Sequence, residues 1–103
     1  MIKNIQAEEI PHYIEKGALI IDIRESYETP KFQFPSHKNV PTSEIGDRLD
    51  EIPKTGDVLI YCHSGARSAD LVATLNLHYG YENLLNVIGG TIMMSLKLPE
   101  HKL

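Results

Sequence analysis

Three short apolar runs divide the chain into segments. Each contains four to six residues and is bounded by glycine-containing turn sequences. Runs that are apolar at successive positions are typical of strands buried on both faces of a parallel sheet. Two weaker strand signals lie near the N-terminus and ahead of Pro41. In chain order, the predicted strands cover residues 2–5, 18–23, 39–40, 58–61 and 84–88.

Amphipathic stretches separate these runs. In each, apolar residues recur three or four positions apart, as Ile45, Leu49 and Ile52 do. This spacing predicts helices over residues 7–16, 42–50 and 68–79, with Ser68 as a candidate N-cap. We expect strands and helices to alternate along the whole chain, including a helix between the strands at 18–23 and 39–40. Alternation of this kind predicts an α/β fold with a parallel sheet and helices on both faces, in which ligands bind at the carboxyl ends of the strands.

Composition narrows the possible functions. The chain has 103 residues, 42% of them hydrophobic and 23% charged, which predicts one globular domain over residues 1–103. Its net charge of −4 and the absence of a Lys/Arg cluster argue against a nucleic-acid partner. No apolar run is long enough to cross a membrane, and the N-terminus lacks a signal-peptide pattern, so we expect a cytoplasmic protein without a membrane partner.

Cys62 is the only cysteine, so no internal disulfide is possible. A single cysteine is either a small buried hydrophobe or a nucleophile. Cys62 directly follows the predicted strand 58–61 and precedes a short loop and a helix. At such a junction backbone N–H groups have no helical partners, and the helix dipole places partial positive charge there, which together favour anion binding. A thiol in this position ionises more readily, with a pKa lowered to roughly 3.5–7.5.

The residues after Cys62 fit such an anion-binding loop. Gly65 allows a tight turn, Arg67 offers a planar fork of donors, and the hydroxyl of Ser68 can cap the helix or face a ligand. Taken singly, each has a plain alternative: a turn glycine, a solvated arginine and a helix cap. Their combination around the only cysteine favours a nucleophilic site.

Three motifs of the chain resemble those of the rhodanese family. Cys62-His63-Ser64-Gly65-Ala66-Arg67-Ser68 is similar to the family's C-x-x-G-x-R-S loop. Asp22-Ile23-Arg24-Glu25, with Glu28 downstream, resembles the D-V-R-E motif, and Val87-Ile88-Gly89-Gly90 resembles the final strand and Gly-Gly turn before the last helix. The resemblance covers nearly the whole chain. It implies a five-stranded parallel sheet and a cysteine that cycles between thiolate and persulfide.

The resemblance also implies residue roles. Cys62 would accept sulfur, and the backbone of residues 63–67 (His63, Ser64, Gly65, Ala66 and Arg67) would hold the persulfide and the departing sulfite, with Ser68 at the same loop. Arg67 would bind the anionic donor. For Asp22 and Arg24 we favour a structural charge network that supports the loop. No metal and no organic cofactor is implied; the partners would be a small anionic sulfur donor and a thiol acceptor, either a small thiol or a thioredoxin-like protein.

The chain departs from the family pattern in two places. The segment Phe32–Pro41 keeps two prolines and the asparagine of G-H-I-P-G-A-x-N-I-P but lacks its glycines and its histidine position. The last helix lacks the tryptophan common in the family and has Met93 and Met94 near that place.

Three functions therefore remain open: a sulfurtransferase, a thiolate-dependent phosphatase or arsenate reductase on the same fold, and a non-catalytic binding module. The related phosphatase loop reads C-x5-R, whereas four residues separate Cys62 from Arg67 here, which favours a cradle for a sulfur atom. His63 either donates to a bound anion or faces solvent. The other histidines, His12, His37, His78 and His101, lack metal-ligand spacing and are expected at the surface or in the core.

Overall fold

The short apolar runs form the strands of one sheet. A computed structural model describes residues 3–103. In chain order its strands and helices are β1 (Lys3–Ile5), α1 (Ile10–Glu15), β2 (Leu19–Asp22), β3 (His37–Asn39), β4 (Val58–Tyr61), α2 (Ala66–Tyr79), β5 (Leu84–Val87) and α3 (Gly90–Lys97). Short 3₁₀ segments cover Ala7–Glu9, Thr42–Asp47, Leu49–Glu51 and Pro99–His101. All strand pairs are parallel, in the order β1-β5-β4-β2-β3.

The three strongly predicted strands are confirmed to within one residue at each end. The weak N-terminal signal becomes β1; its first residue, Ile2, lies outside the described residues. The other weak signal, at residues 39–40, becomes β3, which begins two residues earlier and runs along the edge of the sheet.

Two helix predictions are wrong. The segment between β2 and β3 contains turns and bends rather than a helix, and Pro30 and Pro35 within it disfavour helical hydrogen bonding. Residues 42–50 form two 3₁₀ segments instead of an α-helix, and Gly46 in their middle lowers helix propensity. Their apolar face nevertheless packs as expected: Ile52 is buried and Ile45 and Leu49 are partly buried against the core.

Helices cover both faces of the sheet, which confirms the predicted layers. On one face, α1 and α3 pack over β-strand residues such as Ile20 and Leu59. On the other face, α2 and the 3₁₀ segments pack over Ile21 and Ile60. Within residues 3–103, no helix combines the length and the hydropathy needed to cross a bilayer.

The atypical segment after β2 contributes to the core. Phe32 and Phe34 are each 2% exposed and share a hydrophobic cluster with the fully buried Met94 of α3. Phe32 also forms an antiparallel bridge with Lys102, and the N–H of Gln33 donates to the carbonyl of His101 at 2.8 Å. Aromatic side chains from this segment thus fill the core beside the helix that lacks tryptophan, and the same segment binds the C-terminal residues.

Candidate active site

Cys62 lies at the carboxyl end of β4 and is fully buried. Its Sγ accepts hydrogen bonds from the backbone N–H groups of Gly65, at 3.2 Å, and Ser68, at 3.4 Å. The thiol donates in turn to Ser68 Oγ at 3.4 Å. The loop after the strand therefore directs several donors at one sulfur atom, as the sequence predicts.

These contacts set the acidity of the thiol. Burial is the largest single influence on the pKa of Cys62 and raises it. The hydrogen bonds that the sulfur shares with the side chain and backbone of Ser68, and with the backbone of Gly65 and Ser64, act in the opposite direction. Together they prevail, and the pKa of Cys62 lies below the ordinary value for a cysteine. The loop thus favours the thiolate, which is the nucleophilic form.

The prediction that Ser68 caps α2 is wrong. The helix begins at Ala66, two residues earlier, and its N-cap is Gly65 with a φ of +96°. Because that φ lies in the left-handed region, glycine suits the position. Ser68 therefore lies in the first turn of the helix. Its backbone N–H donates to the sulfur of Cys62, and its hydroxyl oxygen accepts a hydrogen bond from the thiol.

The start of α3 supports the loop from the other side. The N–H of Thr91 donates to the carbonyl of Cys62 at 2.9 Å, and the N–H of Ile92 donates to the carbonyl of His63 at 3.2 Å. A Cβ atom at Gly90 would lie only 2.2 Å from the Cys62 carbonyl oxygen. The loop and the Gly-Gly turn are therefore in backbone contact, which no side chain at position 90 would permit.

Both interpretations of His63 are compatible with its position on the exposed side of the loop. The side chain is exposed, and its Nδ1 lies 3.3 Å from Thr91 Oγ1. Ser64 and Ala66 are exposed as well, at the outer rim of the loop.

Arg67 forms an ion pair that sequence spacing does not reveal. Its two terminal nitrogens donate to the two carboxylate oxygens of Glu28 at 3.0 and 2.9 Å. The hydrogen bond from Arg67 is the main cause that lowers the pKa of Glu28 to about 2. Both side chains remain partly exposed, at 41% for Arg67 and 25% for Glu28.

Asp22 and Arg24 form a second pair, at the end of β2. Arg24 Nε and Nη2 donate to the two Asp22 oxygens at 3.0 and 2.8 Å, and the Arg24 backbone N–H donates to the same carboxylate at 2.9 Å. The side chain of Arg24 is only 1% exposed and that of Asp22 only 4%. Asn39 of β3 donates to the carbonyls of both residues, so the pair joins the ends of two strands.

Two residues of the site escaped the sequence analysis. Glu28 was assigned to a motif, but its contact with Arg67 spans 39 positions. Asn86 of β5 accepts a hydrogen bond from the Ser68 hydroxyl, and its only sequence signal is an amide within the run Leu84–Val87. Within residues 3–103, no three His, Cys, Asp or Glu side chains are grouped so as to hold a metal ion.

Comparisons with known proteins find relatives both in sequence and in structure. A sulfurtransferase of Allochromatium vinosum is 37% identical over 94 residues, covering 89% of this chain and 87% of its own length. The thiosulfate sulfurtransferase GlpE of Haemophilus influenzae is 29% identical, covering 85% of this chain and 83% of its own. The crystal structure of reduced CoADR-RHD from Bacillus anthracis aligns with a TM-score of 0.85 and 32% identity. That alignment covers 99% of this chain but only 18% of the larger protein.

The family match includes every part of the site. Residues 6–91 match the Rhodanese-like domain, a range that contains both arginine–carboxylate pairs, the Cys62 loop and the Gly-Gly turn. The five-stranded parallel sheet agrees with that assignment. The chain belongs to the rhodanese-like family, and its similar proteins include sulfurtransferases.

Proposed function

We propose that the protein, as one rhodanese domain over residues 1–103, is a sulfurtransferase that carries sulfur as a persulfide on Cys62. The observation that carries this proposal is the convergence of the Gly65 and Ser68 N–H groups on the sulfur of the only cysteine. These donors stabilise negative charge on sulfur without any further group. Neither a metal nor an organic cofactor is required.

The reaction has two displacement steps. The Cys62 thiolate attacks the outer sulfur of thiosulfate; a new S–S bond forms, the old S–S bond breaks, and its electron pair leaves with sulfite. An acceptor thiolate or cyanide then attacks the outer sulfur of the Cys62 persulfide. Its S–S bond breaks, and the electron pair returns to Cys62 as the thiolate. The physiological acceptor in this scheme is a small thiol or a thioredoxin-like protein.

Arg67 would bind the anionic end of the donor. Its guanidinium lies on the first turn of α2, next in sequence to Ser68, and suits the oxygens of a sulfonate. Glu28 accepts hydrogen bonds from both terminal nitrogens of Arg67, so the donor must share or displace that carboxylate. Asp22 and Arg24 would support the loop from the end of β2 without touching the donor.

Intact mass measures the proposed intermediate directly. Wild type incubated with thiosulfate should gain the mass of one sulfur atom and lose it again on addition of cyanide. Cys62→Ser should remain folded, gain no sulfur and transfer none to cyanide. Because the chain has one cysteine, sulfur found on the wild type and lost from this variant is assigned to Cys62.

Two results would contradict the proposal. Failure of the folded wild type to gain sulfur from thiosulfate or from a small-molecule persulfide would favour a binding module. Efficient hydrolysis of an aryl phosphate without a sulfur-loaded form would favour the phosphatase alternative.

A further inference from the structure

A buried amide interrupts the apolar face beneath α2. Asn86 of β5 is 4% exposed, and it lies in register between Ile60 of β4 and Asn4 of β1. Leu84 and Ile60, on the same face, belong to the hydrophobic cluster that α2 covers. An amide in such surroundings is costly unless its donor and acceptor atoms are paired. Its partners are therefore informative about its role.

Asn86 connects the buried sulfur to the surface. The Cys62 thiol donates to Ser68 Oγ, the Ser68 hydroxyl donates to Asn86 Oδ1, and Asn86 Nδ2 donates to Asn4 Oδ1 at 3.0 Å. Asn4 is exposed. We call these four residues the polar chain. All three hydrogen bonds point in the same direction, away from Cys62.

The Ser68 hydroxyl has a single proton and three nearby acceptors. These are Asn86 Oδ1, the carbonyl of Gly65 at 3.2 Å and the sulfur itself. While the proton points to Asn86, Ser68 Oγ presents a lone pair to the sulfur, which suits a thiol. A thiolate needs the opposite arrangement, in which the hydroxyl donates to sulfur. Asn86 and the thiolate therefore compete for one proton.

We propose that Asn86 is a positioning residue of the sulfur site: by accepting the Ser68 proton it opposes ionisation of Cys62, and its hydrogen bond to Asn4 holds the amide in that orientation. The functional importance of this effect rests on the proposed sulfur transfer. The effect of Asn86 on the ionisation of Cys62 is itself a property of the free thiol. Charged and titratable groups around this edge (Asp22, Arg24, Glu28, His63 and Arg67) are unchanged in every variant used to test it.

The thiol pKa of Cys62 is the direct readout. The rate of alkylation by iodoacetamide, followed by intact mass across a pH series, gives that pKa without interference because there is one cysteine. Asn86→Leu keeps a similar volume and removes the acceptor, so the pKa should fall by about half a unit to one unit. Asn83→Ala, at the position just before β5, is the control and should leave the pKa unchanged.

A double variant distinguishes this mechanism from a general change in the core. In Ser68→Ala the competing hydroxyl is absent. Adding Asn86→Leu to this variant should therefore shift the pKa of Cys62 by less than one third of the shift that Asn86→Leu causes in wild type. An equal shift in both backgrounds would overturn the proposal, as would an unchanged pKa in folded Asn86→Leu.

A variant at the exposed Asn4 covers the case in which Asn86→Leu does not fold. Asn4→Ala releases the amide of Asn86 without adding a charge. The pKa of Cys62 should therefore be lower in Asn4→Ala than in wild type; equal values would overturn the proposal. A shift in pKa together with a failure to load sulfur would instead leave the polar chain intact and reject the proposed function.

Discussion

Two arginine–carboxylate pairs of the molecule, Asp22–Arg24 and Glu28–Arg67, have the same geometry and different surroundings. In both, two guanidinium nitrogens donate to the two oxygens of one carboxylate. The side chains of Arg24 and Asp22 are 1% and 4% exposed, whereas those of Arg67 and Glu28 are 41% and 25% exposed. The carboxylates lie six residues apart in sequence, so one short segment of the chain supplies the carboxylate of both pairs.

The difference in burial decides what each pair can do. A buried charge that loses its partner cannot be rehydrated without opening the core, so the inner pair is fixed in place. The outer pair can exchange its hydrogen bonds for bonds to water or to anions at a low cost in free energy, because exposed ion pairs contribute little to stability. The inner pair therefore serves stability and the outer pair can serve binding.

Breaking the inner pair should have the largest effect on the molecule. Asp22→Asn leaves the buried Arg24 guanidinium without a counter-charge and should lower the free energy of unfolding by about 3–5 kcal/mol. Glu28→Gln, the matched change in the outer pair, should lower it by about 0–1 kcal/mol. Urea denaturation of both variants and wild type measures the contrast. Similar losses in the two variants would remove the distinction between the pairs.

Removing Arg67 should affect catalysis more than folding. Arg67→Ala loses the charge-assisted hydrogen bonds to the donor, so kcat/KM for thiosulfate should fall roughly 10- to 100-fold. Arg67→Lys should recover only part of that loss, since lysine lacks the planar fork. Steady-state kinetics and urea denaturation on the three proteins provide the test. Equal catalytic efficiency in all three would exclude Arg67 from the site.

Removing the carboxylate of Glu28, the partner of Arg67, should improve the use of thiosulfate rather than impair it. Glu28→Gln frees Arg67 from a competing carboxylate, so KM for thiosulfate should fall roughly 1.4- to fivefold, as expected for an exposed ion pair of about 0.2–1 kcal/mol. Because the pKa of Glu28 is about 2, the carboxylate stays charged at every working pH, and the gain should not vary between about pH 6 and about pH 8. A higher KM would instead show that Glu28 holds Arg67 in its productive position.

The smallest expected effect concerns His37, which lies beside the inner pair. Burial is the main cause that lowers its pKa, and its Nε2 lies 2.8 Å from the Tyr61 hydroxyl. As the pH falls through about 6.5, the unfolded chain takes up a proton that folded His37 resists, so the free energy of unfolding decreases. His37→Gln should show a weaker decrease between about pH 8 and about pH 5.5. His78→Gln, at an exposed position of α2, should follow wild type.

The sequence predicted the parts of the fold that depend on local pattern. The runs at 18–23, 58–61 and 84–88 became strands because burial on both faces requires apolar residues at successive positions. Residues 42–50 were assigned the wrong helix type, since a spacing of three to four is compatible with both 3₁₀ and α geometry. The apolar face was predicted correctly while the backbone was not.

In the candidate site too, the local contacts could be predicted from the sequence and the long-range contacts could not. The donors around Cys62 come from the next six residues, so their convergence was predictable from the loop alone. Glu28 and Asn86 reach the site from 39 and 18 positions away from their partners. Only the order of strands in the sheet and the packing of α2 bring them there, and no local pattern encodes that geometry.

The backbone contact between Gly90 and the Cys62 carbonyl has a consequence for protein design. The cysteine loop alone, transplanted onto another strand–helix junction, would lack the support that the Thr91 and Ile92 N–H groups give to its two carbonyls. A functional graft must therefore include two segments, the loop and the Gly-Gly turn, at their original separation. The transferable unit of this active site is a pair of neighbouring strand ends, and scaffolds should be selected for that spacing.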